Sequence, residues 1–232
     1  MSKTKVSSPD TNLVTNQISD VSVRTNHARE LFTQFSKLSG EAGYPVRAFD
    51  DARLPHFQKL SPEQQKQTII EIADRTDLYI QASLEKIPLS DTRQMLWRSL
   101  RRAGWVPNSD IFDHIELTDT VEVYSQEHRQ IFRNLEFFKW ISYTLEDLHC
   151  STWFDLTTRD PVFEKSLMEQ ANRVLSGEVK HTLDLSHLKA HLCKETRSSE
   201  RRQFYIDMKC VSPLVKDGKI VGIVAVNRTE AA

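Results

Sequence analysis

Asp217-Gly218 sits between two apolar, β-rich runs, and that arrangement constrains the fold more than any other feature of the chain. A two-residue turn of type I′ needs positive φ, which Gly218 adopts without steric penalty. Arg202 to Val226 therefore reads as two apolar strands joined at that turn. With helices upstream and no row of catalytic residues, such a pair points to a chain built to hold or sense something.

The rest of the chain follows from local signals. Residues 1–25 are rich in Ser, Thr, Asn and Asp without a sustained period, and read as a flexible tail. A short helix is expected from His27, with Leu31, Phe32, Phe35 and Leu38 on one face and Gly40 beyond its end. Ser61-Pro-Glu-Gln64 carries a capping-box pattern with proline at the first helical position. Ile69, Ile72, Thr76 and Tyr79 then recur at helical spacing until Pro88 stops the run. A third helix follows Ser90 and ends at Gly104. Residues 26–110 thus form a helical segment.

After Asn108 the pattern changes. Thr120 to Tyr124 alternates as a half-buried strand does, and Ile131-Phe132 begins a second short strand. Short helical pieces are expected at Glu136–Trp140 and Leu145–Cys150. A longer helix starts with Asp160 as N-cap and Pro161 at N1, and Gly177 ends it. Val179 to Cys193 reads as a strand whose parity slips at a bulge near Ser186-His187. Residues 111–232 are thus expected to form an α+β unit: five antiparallel strands, with the helices inserted between strands two and three.

Composition narrows the function classes. The chain has 232 residues, a net charge of −1, 39% hydrophobic and 27% charged residues, as ordinary globular proteins do. No global positive field draws it to nucleic acid or anionic membrane. No window reaches the ~18 apolar residues of a membrane span, and the N-terminus lacks the apolar core of a signal peptide. Three unpatterned cysteines disfavour a disulfide framework, so a cytoplasmic location is expected.

Several strings, in order, resemble the PAS sensory domain family over roughly residues 118–229. Ile131-Phe-Arg-Asn134 resembles its second strand and the Asn that follows. Phe137-Phe138 and Tyr143-Thr-Leu-Glu-Asp-Leu148 resemble its aromatic and Tyr-Ser-x-Glu-Glu-Leu stretch. Trp153 to Leu156, Leu175-Ser-Gly177, Cys210 to Leu214, and Gly222 through Thr229 fall where the family places its later segments. Ser142 stands where a Gly usually precedes the Tyr, and Asn227-Arg228 replaces Asp-Ile. The resemblance implies a non-catalytic signalling protein that works through a homodimer or a signalling partner. With no kinase, cyclase or DNA-binding segment after the sheet, the output is expected in the N-terminal helices or in a separate protein.

The resemblance also implies an interior cavity that takes a small ligand in some members and nothing in others. Candidate wall residues are Phe132, Asn134, Phe137, Trp153, Leu167, Leu183, Leu185, Tyr205 and Val226; apolar residues at such spacing also pack cores by default. The long helix carries no ligand histidine for haem, and no Asn-Cys-Arg string is present for a flavin adduct. His181, His187, His191 and Cys193 cluster in one predicted strand, yet i,i+4 on a strand separates side chains by ~13 Å, too far to share one ion. An enzyme using the cavity and this His-rich strand is the alternative. No nucleophile elbow, Walker loop or His-Glu-x-x-His motif is present, and no catalytic residue is assigned.

Overall fold

The computed structural model describes residues 21–232. Helix α1, Val21–Glu41, opens the described part. The tail expected over 1–25 therefore lies outside the described residues only as far as residue 20, and Val21 to Thr25 are helical. Ser22, Val23, Thr25 and Asn26 have modest helix propensity. Tertiary contact overrides it: the buried Arg24 Nε donates to Gln65 Oε1 at 2.7 Å. Gly40 lies inside the last turn rather than beyond it, and Gly43, with φ +88°, follows the helix end.

After the single turn α2 (Pro55–Gln58), helix α3 spans Pro62–Leu84. Its capping box is formed: Gln64 N donates to Ser61 Oγ and Ser61 N donates to Gln64 Oε1. Helix α4, Thr92–Ala103, is capped by Asp91, one residue after the expected Ser90, and closes on Gly104 in the left-handed region.

The strands are β1 (Val106–Pro107), β2 (Thr120–Ser125), β3 (Gln130–Arg133), β4 (Thr157–Thr158), β5 (Leu183–Asp184), β6 (His191–Glu195), β7 (Gln203–Lys216) and β8 (Lys219–Ala231). Between β3 and β5 lie a 3-10 turn (Leu135–Lys139) and helices α5 (Leu145–Cys150), α6 (Trp153–Leu156) and α7 (Pro161–Leu175). They form one curled antiparallel sheet in the order β3-β2-β8-β7-β6-β4, with β1 and β5 also paired to β7. Eight strands thus replace the five expected. Three of them, β1, β4 and β5, are two residues long and leave no periodicity to read.

The segment Val179 to Cys193 is not one bulged strand. The chain turns after β5, where Asp184 Oδ1 accepts from Ser186 N and Leu188 N donates to Leu185 O. β5 and β6 then pair with β7 at different points, Leu183 with Val211 and His191 with Ile206. Polar Ser186 and His187 sit in the turn. The parity slip comes from that turn, and the bulge lies in β7, where the register shifts between Met208 and Cys210. The β7–β8 hairpin closes as expected, with Asp217 and Gly218 both at positive φ.

The sheet has two unlike faces because side chains alternate along each strand. Val121, Val123, Val224 and Val226 share the main hydrophobic cluster with Phe32 and Phe35 of α1, Ile69, Ile72 and Tyr79 of α3, and Leu96 of α4. The cluster runs across residue 110, joining helical segment and sheet. The alternate residues, Tyr124, Ile206, Met208 and Ile223, pack in a second cluster with Phe163, Leu167, Ala171 and Val174 of α7.

Candidate ligand cavity

Helix α7 does not close fully on the sheet. Between them lies a cavity of about 60 Å³, walled by Leu167, Met168 and Ala171 from the helix, Leu185, and Met208, Val211, Ile223 and Ala225 from the sheet. Asp160 aims the helix: its carboxylate accepts from Val162 N and Phe163 N. The bulge in β7 changes the strand's parity, so that Ile206 and Met208 before it and Val211 after it all line the same space.

Polar groups enter this apolar space at three points. Asn227, 3% exposed, donates from Nδ2 to Glu122 Oε2 at 3.3 Å, while its Oδ1 has no partner. A carboxylate only accepts, so the amide nitrogen must face Glu122 and the oxygen is left for the cavity. Glu122 is already occupied, since its Oε1 accepts from Tyr124 OH and Gln130 Nε2. Burial, and then the neighbouring Glu122, raise the Tyr124 phenol well above its ordinary value, so it remains a donor.

His191, 8% exposed, makes no well-formed hydrogen bond at either ring nitrogen, although the Ile206 backbone lies near enough to favour its charged form slightly; its ring stacks on Phe163 with centroids 3.5 Å apart. Burial, with the Arg159 charge adding, lowers it to about 4, so it is neutral at pH 7. Arg159 is the third group. Its guanidinium lies 4.7 Å over the Trp153 ring, and its Nε is buried without an acceptor. Buried polar atoms are nearly always hydrogen-bonded, so these vacancies clustered in one cavity mark places for a bound water or a small polar ligand.

Among the nine wall residues expected from sequence, Trp153, Leu167 and Leu185 line the cavity. Leu183 packs in the cluster around it. Phe132 and Val226 belong to the main cluster, and Phe137 packs against it beneath the Arg133 guanidinium. Tyr205 is 41% exposed. Asn134 is spent within the fold: it accepts from Val121 N and donates to Asp119 O and the Thr92 hydroxyl. Glu122, Tyr124, Arg159, His191 and Asn227 were not among the nine. Alternation over Thr120–Tyr124 does place Glu122 and Tyr124 on one face, but a polar face reads as solvent-facing.

His187 is exposed in the turn after β5 and does not join His191. Among the described residues no group of three or more His, Cys, Asp or Glu is placed to hold a metal ion. No helix among them is long and apolar enough to cross a membrane.

Comparisons with known families, with characterised proteins and with solved structures found no match. The site therefore rests on its own geometry.

The histidines give a pH signature. His149 is also lowered well below its usual value, by burial first and then by Arg75 and Arg133. Unfolded, both histidines bind a proton near pH 6.5. The unfolded state thus holds more protons below that pH, and stability falls as pH drops from about 6.5 towards about 4. Each histidine adds at most about 1.4 kcal/mol per pH unit in that window. His191→Gln should flatten the fall in thermal midpoint between pH 6.5 and 4; an unchanged slope would contradict a buried neutral His191. Glu146, raised by burial, acts in the opposite sense and is untouched by the substitution.

Proposed function

We propose that this chain is a non-catalytic regulatory protein whose C-terminal part is a PAS-type sensor domain holding a small ligand beneath α7. Its output runs through dimerisation or a partner protein that reads the N-terminal helical segment. One observation carries the reading: an apolar cavity into which His191, Asn227 and Arg159 present polar atoms without protein partners. The order of elements supports it, with β2 and β3, then helices α5–α7, then β6–β8, as the family resemblance implies.

A route from cavity to helices lies in the same residues. Trp153 and His128 line the cavity and also a second, polar cleft of about 210 Å³ bordered by Gln64, Thr68 and Glu71 of α3. Glu71 pairs with Arg129, next to His128, at 2.5 Å, and Arg75 donates to Arg133 O at 2.6 Å. A ligand that shifts Trp153 therefore pushes on a wall shared with α3. Native mass spectrometry of the freshly purified chain tests the reading, since it reports subunit count and bound small molecules together. A ligand-bearing dimer is expected. A ligand-free, strictly monomeric protein that captures no partner would remove the support for it.

A further inference from the structure

We propose that the cavity takes a short-chain 2-hydroxymonocarboxylate of two or three carbons, its carboxylate held by Arg159 and His191 and its hydroxyl donating to Asn227. This rests on the reading of the cavity as a ligand site and adds the chemical class.

Size sets the first limit. A water needs roughly 10–15 Å³, and an apolar cavity of about 150 Å³ takes a benzene ring. At about 60 Å³ the space here holds several waters but not a six-membered ring. Haem, flavin and aromatic metabolites are too large.

Charge sets the second. Glu122, the carboxylate in the wall, already accepts from Tyr124, Gln130 and Asn227. Among the described residues no carboxylate lies within ion-pair distance of Arg159, although the chain pairs its arginines with acids at many other places. The side-chain contact of Arg159 is with the Cys193 thiol, which carries no charge to match it, so the guanidinium has room for an anion, and a carboxylate fits its geometry. The neutral His191 supplies one N–H beside it.

Hydrogen-bond complementarity sets the third. Asn227 Oδ1 only accepts, so the ligand must also bring a donor. His191 and Asn227 lie on β6 and β8, either side of β7, opposite Ile206 and Met208 respectively. Two strand spacings and a two-residue offset separate their Cα atoms by roughly 12 Å. The ligand and the two side chains together must span it, with the acid towards His191 and the hydroxyl towards Asn227. Its carbon skeleton then meets Leu185, Met208 and Ile223. Glycolate and lactate have these properties.

The test is calorimetric titration of the full chain with glycolate, lactate, acetate, nitrate and the uncharged glycolamide. Glycolate or lactate should bind at least about tenfold more tightly than glycolamide, the loss expected when a charge-assisted hydrogen bond goes. Acetate and nitrate, lacking the hydroxyl, should be weaker as well. Arg159→Gln should lose the same factor with its thermal midpoint little changed, because the side chain is partly exposed; Asn227→Asp should weaken glycolate but not abolish folding. Equal binding of glycolamide, or full binding by Arg159→Gln, overturns the carboxylate. Nitrate binding as tightly as glycolate overturns the hydroxy acid. A different small molecule retained in native mass spectra overturns the class and leaves the ligand site standing. No binding of any probe, with no molecule retained, overturns both.

Discussion

Gly222→Ala is expected to be the most damaging single-methyl change in the chain. Gly222 lies in β8 between β2 and β7, paired with Ser125 on one side and Leu214 on the other. A Cβ added there would lie 2.2 Å from the Tyr124 carbonyl oxygen and 3.2 Å from both the Tyr124 carbonyl carbon and the Trp105 ring. The obstacle at 2.2 Å is backbone in the centre of the sheet, so no rotamer change relieves it. Overpacking a core commonly costs about 1–3 kcal/mol, and this contact belongs at or above the upper end. At about 2–4 °C per kcal/mol for a chain of this size, the thermal midpoint should fall by roughly 10 °C. Gly40→Ala, where an added Cβ meets nothing within 4 Å, is the control and should be neutral or slightly stabilising. Equal midpoints for the two variants would show that β2 and β8 do not approach as closely as described.

Glu195→Ala is expected to cost about 3–5 kcal/mol. Glu195, 4% exposed at the end of β6, accepts from four donors: Ser142 N and Oγ, Ser198 Oγ and Arg202 N, at 2.6, 2.6, 2.6 and 2.8 Å. It fastens the segment before α5 to the β6–β7 connection, with Tyr143 OH receiving Thr196 N and Arg197 N alongside. Removing the carboxylate strands donors in a buried place. Glu195→Gln tests whether charge matters rather than shape, because one amide end would face donors with its own N–H groups. It should lose at least about 2 kcal/mol. A glutamine variant as stable as the parent in urea would contradict the network. Ser142 supplies two of the four donors, so Ser142→Gly should forfeit only the hydroxyl's share.

The two carboxylates that organise this half, the half-buried Glu122 and the buried Glu195, were not legible as hydrogen-bonding centres. Glu122 in an alternating strand and Glu195 in a polar run after the His-rich segment both read as solvent-facing, and what reverses the reading for Glu195 is chiefly a donor residue far away in sequence. Glu195 and Ser142 are fifty-three positions apart. The same holds at the cavity. Trp153, Leu167 and Leu185 were expected as wall residues from the resemblance, since apolar spacing alone marks core. Phe132 and Val226 have the same signature but face the main cluster. His191 drew notice as a metal candidate in a single His-rich strand, yet a turn removes His187 from it and leaves His191 facing the cavity.

Sequence alone determined where several of the regular elements start and stop. Ser61 with Gln64, Asp160 with Pro161, Gly104 and Asp217-Gly218 act through backbone dihedrals and donors a few residues away, so their effect needs no distant partner. Only the tertiary structure decided which face of each strand covers the main core and which lines the cavity. Alternation defines two faces but not their neighbours; the packing of α7 on one side and of the N-terminal helices on the other assigns them, through contacts between residues far apart in the chain.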